Sequence, residues 1–174
     1  RITPSNLAIG LTIFSIGLFK KTVIADSIAM YPDRVFEEVA LGSSISFVTA
    51  WVAGFAFVIQ VYFDFSGYSD MAIGLARIFG IVLPQNFNSP LKARSMIDFW
   101  QRWHITLTRF LNTYVFNIMV LRETRRRMAL GLSVKPKDMR RPAAFTKVMV
   151  IPAMITMLLI GVWHGAGYQF FIFG

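Results

Sequence analysis

The chain has no cysteine, only two histidines and only nine acidic residues among 174. Without cysteine there can be no disulfide and no thiolate metal site. Two histidines far apart, His104 and His164, and so few carboxylates give little from which to build a protein metal centre, so no metal is expected. Charge is scarce as well: 16% of residues are charged, against about 25% in a soluble domain. Hydrophobic residues reach 55% and include 17 Phe, which implies an integral membrane protein. The net charge of +9 could serve nucleic acid or anionic lipid. The cations crowd between apolar runs without interleaved aromatics, so membrane lipid is the expected partner and nucleic acid is not. The chain starts at Arg1 and stops at Gly174 inside an apolar run, so it reads as a single membrane domain over 1–174, internal to a longer chain.

Every long apolar run reads as helix, making the class all-α. Leu7 to Phe19 is short for a bilayer span, which takes about 20 residues. Lys20-Lys21 then interrupts it, so a partial or interfacial helix is expected, with its lysines near headgroups. Tyr31-Pro32-Asp33 is expected to end that helix, because proline restricts its predecessor. Val39 to Phe63 runs 25 residues without charge and is the clearest transmembrane helix. Beyond Asp64, a helix would place Gly67, Asp70 and Gly74 on one face, where small residues let helices approach closely in lipid. Arg77 lies two turns from Asp70, so an ion pair between them is expected, with Asp70 serving assembly more than chemistry.

Leu83 to Pro90 is turn chemistry, with two prolines and two asparagines. Ser95 can cap the following helix, with Asp98 three residues on. That helix carries Phe99-Trp100-Gln101-Arg102-Trp103-His104, and its period puts Trp100 and His104 on one face. Trp103, Arg102 and their neighbours suit the membrane interface. Arg122 to Lys147 holds nine Lys or Arg against Glu123 and Asp138, so it reads as a solvated loop and, by the positive-inside rule, a cytoplasmic one.

The run from Val148 to Gly174 has no Asp, Glu, Lys or Arg, yet includes Gly161-Val162-Trp163-His164-Gly165-Ala166-Gly167. A histidine inside such a run is a functional candidate, since hydrocarbon tolerates it only with a partner or a wet cavity. It can also exchange a proton near neutral pH. The plain alternative is a neutral histidine hydrogen-bonded between packed helices. If this last helix starts near Val148, His164 lies about 24 Å along it, well across the bilayer, or nearer the centre if Pro152 kinks the helix or it tilts.

Four blocks in order carry a resemblance: Tyr62–Gly74, Gln85–Pro90, Phe99–His104 and Trp163-His164-Gly165. Together they resemble the membrane-bound O-acyltransferase family, most of all its bacterial members that acetylate alginate or move D-alanine onto teichoic acids. The resemblance implies a bundle of many helices, some tilted or re-entrant, around a tunnel. It implies that His164 is the catalytic histidine and that His104 is a second one, with Trp163, Trp103, Arg102 and Asp70 as candidate substrate contacts. It also implies an acyl thioester (acetyl-CoA or an acyl carrier) as co-substrate, no bound cofactor, an exported polysaccharide acceptor and a periplasmic partner. The location implied is the bacterial inner membrane, crossed several times. From the residues alone, a proton-relaying transporter and a structural subunit with packing histidines remain open.

Overall fold

The computed structural model describes residues 2–165 and 167–173. Among them every regular element is helical and there is no strand. Three helical runs are long and apolar enough to cross a membrane: Pro4–Ala40, Phe47–Ile78 and Pro142–His164. The chain divides into two units, Arg1–Trp103 and His104–Gly174.

In the first unit, Thr3 opens α1 (Pro4–Phe19) by accepting the Asn6 backbone N–H at 3.1 Å, with Pro4 at the first helical position. Its missing N–H would be unpaired there in any case. The helix does not stop at the lysines. One wide π-helical turn, Lys20–Ala25, carries it straight into α2 (Asp26–Ala40). The expected break at Pro32 is also absent: Pro32 sits inside α2, fully buried. Helix α2 packs along the next long helix, with Phe36 edge-on to Phe57 at 5.7 Å, and that tertiary support outweighs the local penalty of the proline. The run ends at Gly42 instead, which takes φ +90° while the Ser43 N–H reaches back to Glu38 O. This six-to-one closure uses a left-handed residue that glycine adopts freely.

Ser46 caps α3 (Phe47–Ile78), accepting the Thr49 N–H at 3.0 Å. The span expected over Val39–Phe63 is therefore shifted, and it joins the expected Gly67–Gly74 helix in one element of 32 residues. The small-residue face is used as expected. Gly10 lies against Gly74 and Gly17 against Gly67, so closely that a Cβ on any of the four would stand 2.6–2.7 Å from a carbonyl oxygen of the opposite glycine. Each helix thus offers two glycines seven residues apart, running in opposite directions. Gly10 and Gly17 had looked like ordinary members of a short apolar run.

The charges of this hairpin pair across it. Lys20 Nζ lies 2.6 Å from Asp70, and Lys21 Nζ lies 2.5 Å from Asp26 and 2.8 Å from Asp64. The expected partner of Asp70 was Arg77, but Arg77 Nε has no hydrogen-bond partner among the described residues. The glycine contacts bring the two helices so near that a lysine one turn past Gly17 reaches the carboxylate one turn past Gly67. The lysines are therefore paired with carboxylates of the hairpin itself.

The second unit contains α5 (Ile105–Leu111), which passes through a π-helical turn at Asn112–Phe116 into α6 (Asn117–Ala129). Two short helices follow, α7 (Pro136–Met139) and α8 (Pro142–Phe145). A π-helical turn at Thr146–Val150 leads into α9 (Ile151–His164), and α10 (Tyr168–Phe173) packs back on it. Arg122 to Lys147 is therefore mostly helical rather than a loop, its first residues extending α6. Arg126 pairs with Glu123, and Arg141 with Asp138, at helical spacing, which a solvated-loop reading had not anticipated. Pro152 lies in the first turn of α9, where a missing N–H is best tolerated. The wide turn lies directly before α9, and Thr156 Oγ1 donates to the Pro152 carbonyl at 2.7 Å.

Candidate active site

The segment leading to His104 is built from the turn before it. Asn86 Nδ2 donates to Ser69 Oγ of α3 at 3.1 Å, which ties the turn to the hairpin. Phe87 is 8% exposed, and its ring lies 5.1 Å from those of Phe65 and Trp103 and 6.0 Å from that of Tyr62. Trp103 also stacks on Phe99 at 5.6 Å. The anticipated interfacial tryptophan is thus a member of an aromatic cluster.

Ser95 caps α4 (Met96–Arg102) as its position suggested, accepting the Asp98 N–H at 3.1 Å. Asp98 answers by accepting the Arg94 N–H at 3.0 Å and the Arg102 Nε–H at 2.6 Å. The Arg102 bond first, and the Arg94 backbone N–H second, hold the Asp98 carboxyl below its usual range. Arg102 continues to Asn88: its Nη1 donates to Asn88 O at 3.3 Å, and its own carbonyl accepts the Asn88 N–H at 3.0 Å.

Helix α4 then stops. Trp103 is extended, and His104 has φ 44° and ψ 53°, in the left-handed region. The face shared by Trp100 and His104 that a continuous helix would give does not form. Such a conformation in a residue with a full side chain costs roughly 1–3 kcal/mol and survives only where neighbours over-determine it. Burial, and after it the electrostatic influence of His164, lower the pKa of His104. The two histidines are thus within electrostatic reach of each other in the second unit.

His164 is the last residue of α9 and is exposed. Its ring lies 5.0 Å from that of Trp163, and the Trp163 side chain is exposed beside it. The space freed by Gly165 is taken by the Phe170 ring of α10, so this glycine serves the turn between α9 and α10. Ala166 of the same motif lies outside the described residues. Of the expected site residues, the structure brings His104, His164 and Trp163 into one unit. It places Trp103 and Arg102 in the framework before His104, and it engages Asp70 with Lys20. Phe87, Asn88 and Asp98 belong to that framework too. The Gln85–Pro90 turn was the sequence signal for Phe87 and Asn88, and the Ser95 cap was the signal for Asp98.

The model of the membrane-bound O-acyltransferase family matches residues 1–132. The chain is 46% identical over 170 residues to the peptidoglycan O-acetyltransferase of Helicobacter pylori, covering 97% of this chain and 28% of that protein. It is 39% identical over 172 residues to the probable alginate O-acetylase AlgI of Azotobacter vinelandii, covering 99% of this chain and 30% of the relative. Over 120 residues it is 33% identical to the teichoic acid D-alanyltransferase of Bacillus subtilis, covering 69% and 27% respectively. The chain therefore spans less than a third of the length of these curated relatives. With the family model matched across most of its residues, the chain belongs to the membrane-bound O-acyltransferase family.

Proposed function

We propose that this chain forms part of a membrane enzyme that transfers an acyl group, acetyl as the best reading, from a cytosolic thioester towards hydroxyls of an exported polysaccharide. One observation carries the reading most of the way. Three relatives acting on peptidoglycan, alginate and teichoic acid all have names that state O-acetyl or D-alanyl transfer. Alginate was the expected acceptor. The similarity to a peptidoglycan O-acetyltransferase makes a cell-wall glycan an equal example of the same acceptor class.

In this reading His164 is the general base. An acceptor hydroxyl oxygen attacks the thioester carbonyl carbon as an imidazole nitrogen of His164 takes its proton. The carbon–sulfur bond breaks, the imidazolium returns the proton to the thiolate, and ester plus thiol result. Burial first, and the neighbouring His164 second, hold the pKa of His104 below its ordinary value. His104 then acts as a neutral positioning group. The enzyme sits in the bacterial inner membrane with the basic segment 122–147 in the cytoplasm, and a periplasmic partner completes delivery to the polymer. No bound cofactor is required, since the thioester is a co-substrate.

The test is acyl transfer per folded molecule of full-length enzyme in liposomes. His164→Gln keeps polarity and removes the titrating group, so turnover falls by roughly two to four decades, the usual worth of such a base. Wild-type turnover by folded His164→Gln ends the assignment.

A further inference from the structure

We propose that Arg102 is a positioning residue for His104, held by Asp98 and holding Asn88, and that it is not a contact for donor or acceptor. The inference rests on the reading of His104 given above. It starts from where the guanidinium is spent. Nε is committed to Asp98 Oδ1 at 2.6 Å and Nη1 to Asn88 O at 3.3 Å. The Arg102 carbonyl is committed as well, accepting the Asn88 N–H at 3.0 Å. Residues 88 and 102 are thereby joined by two bonds, one through backbone alone and one through the guanidinium. Asp98, fixed in turn by the Arg94 N–H, aims the fork. A planar guanidinium can serve two acceptors in fixed directions, which a lysine ammonium on a flexible stem cannot reproduce.

The consequence falls two residues on. Between the clamped Arg102 carbonyl and the first turn of α5, closed by the Thr108 N–H on His104 O at 3.0 Å, only the dihedrals of Trp103 and His104 remain. Trp103 is fixed by the rings of Phe87, Phe99 and Tyr62. His104 is what is left, and it is held in the left-handed region that most residues avoid. The clamp and the aromatic cluster supply the over-determination that such a conformation needs. The direction in which the imidazole leaves the backbone follows from it.

The experiment uses full-length enzyme with three variants, Arg102→Gln, Arg102→Lys and Asp98→Asn, and the Asp98→Asn/Arg102→Gln pair. Two readouts are taken: kcat and KM for the thioester, and amide hydrogen exchange of the peptide covering 103–111. The expected result is a loss of tenfold or more in kcat with KM within about twofold, since an interaction that orients a reacting group acts in the transition state. Lysine fails to rescue, the double variant is no worse than the worse single one, and exchange over 103–111 speeds up in all four. A raised KM with kcat retained in Arg102→Gln makes Arg102 a substrate contact and overturns the proposal. Unchanged exchange over 103–111, or an inert Asp98→Asn beside an inactive Arg102→Gln, overturns it too. His104→Gln is run alongside. Faster exchange in the clamp variants together with wild-type turnover by His104→Gln overturns the catalytic reading of His104, which separates that failure from a failure of the clamp.

Discussion

The hairpin of α1–α2 with α3 and the turn that carries His104 hold their shape by opposite means. In the hairpin the backbone is relaxed and the side chains vanish: four glycines let two helices meet at their carbonyls, and charges close the gap on either side. At His104 the backbone is forced into a sparsely populated region and large side chains hold it there, Phe87 and Trp103 before it and Arg102 as a brace. Close packing without strain suits a scaffold. Strain held by packing suits a group whose direction matters, since its orientation then depends on neighbours that can be tuned one at a time.

The largest effect expected from breaking this contrast is at the glycines. Gly17→Leu pushes a side chain into the Gly67 carbonyl and the Met71 backbone, neither of which can move without separating the helices. Folded yield in detergent is expected to collapse, whereas Gly54→Leu, with open space around it, keeps wild-type yield. Equal yields for the two would remove the zipper from the account.

Next come the charges. Asp70→Asn leaves Lys20 without its counter-ion in an apolar helix, where an unpaired charge costs about 2.5–3.5 kcal/mol on the insertion scale. Replacing both, Lys20→Met with Asp70→Leu, is expected to recover most of that loss, as apolar replacements of paired charges commonly do. A double-mutant cycle on melting in detergent checks it, and simple additivity of the two single changes would show that the pair is not coupled.

At His104 the order reverses, with conformation counting first. Asn tolerates the left-handed region and Val does not, so His104→Asn is expected to melt within about a degree or two of wild type and His104→Val well below it, by the worth of a strained residue, roughly 1–3 kcal/mol. Similar melting of both would mean that the backbone at this position is free to relax.

The smallest expected effect is on pH. His104 titrates lower folded than unfolded, so as pH falls through about 6.5 the unfolded chain takes up the proton first. Stability is therefore full above that pH and declines below it, levelling off once the folded state also binds the proton. The decline in melting temperature should be shallow, and flatter in His104→Asn. A slope of the opposite sign would mean that His104 gains a carboxylate partner in the folded enzyme.

Much of this could be read before the structure, and the misses share a cause. Apolar runs, the Ser95 cap and the small face of Gly67 and Gly74 are local, periodic signals, and the structure has all of them. Asp70 was assigned to Arg77 because both lie on one helix, whereas its partner is 50 residues away. Pro32 was read as a stop because the sequence shows the lost hydrogen bond and not the packing that outweighs it. His104 was placed on a helix face because its segment continues the helical period. Nothing local announces that the backbone N–H of Asn88, fourteen residues back, will donate to the Arg102 carbonyl just where the helix stops. The role of His164 was suggested by its motif, while its proximity to His104 required the fold.

The 50-residue separation between Lys20 and Asp70 also sets a clock for biogenesis. Ribosomes add about 5–20 residues per second, so Lys20 is made roughly 3–10 s before its counter-ion. For that interval the π-helical turn after α1 carries two lysines with only Asp26 nearby, and neither glycine contact exists yet. Docking of α1 has to await α3, so the insertion machinery must shelter a charged, half-apolar helix until the second one arrives. The hairpin that looks most inert in the finished molecule is the one whose assembly is most exposed to timing.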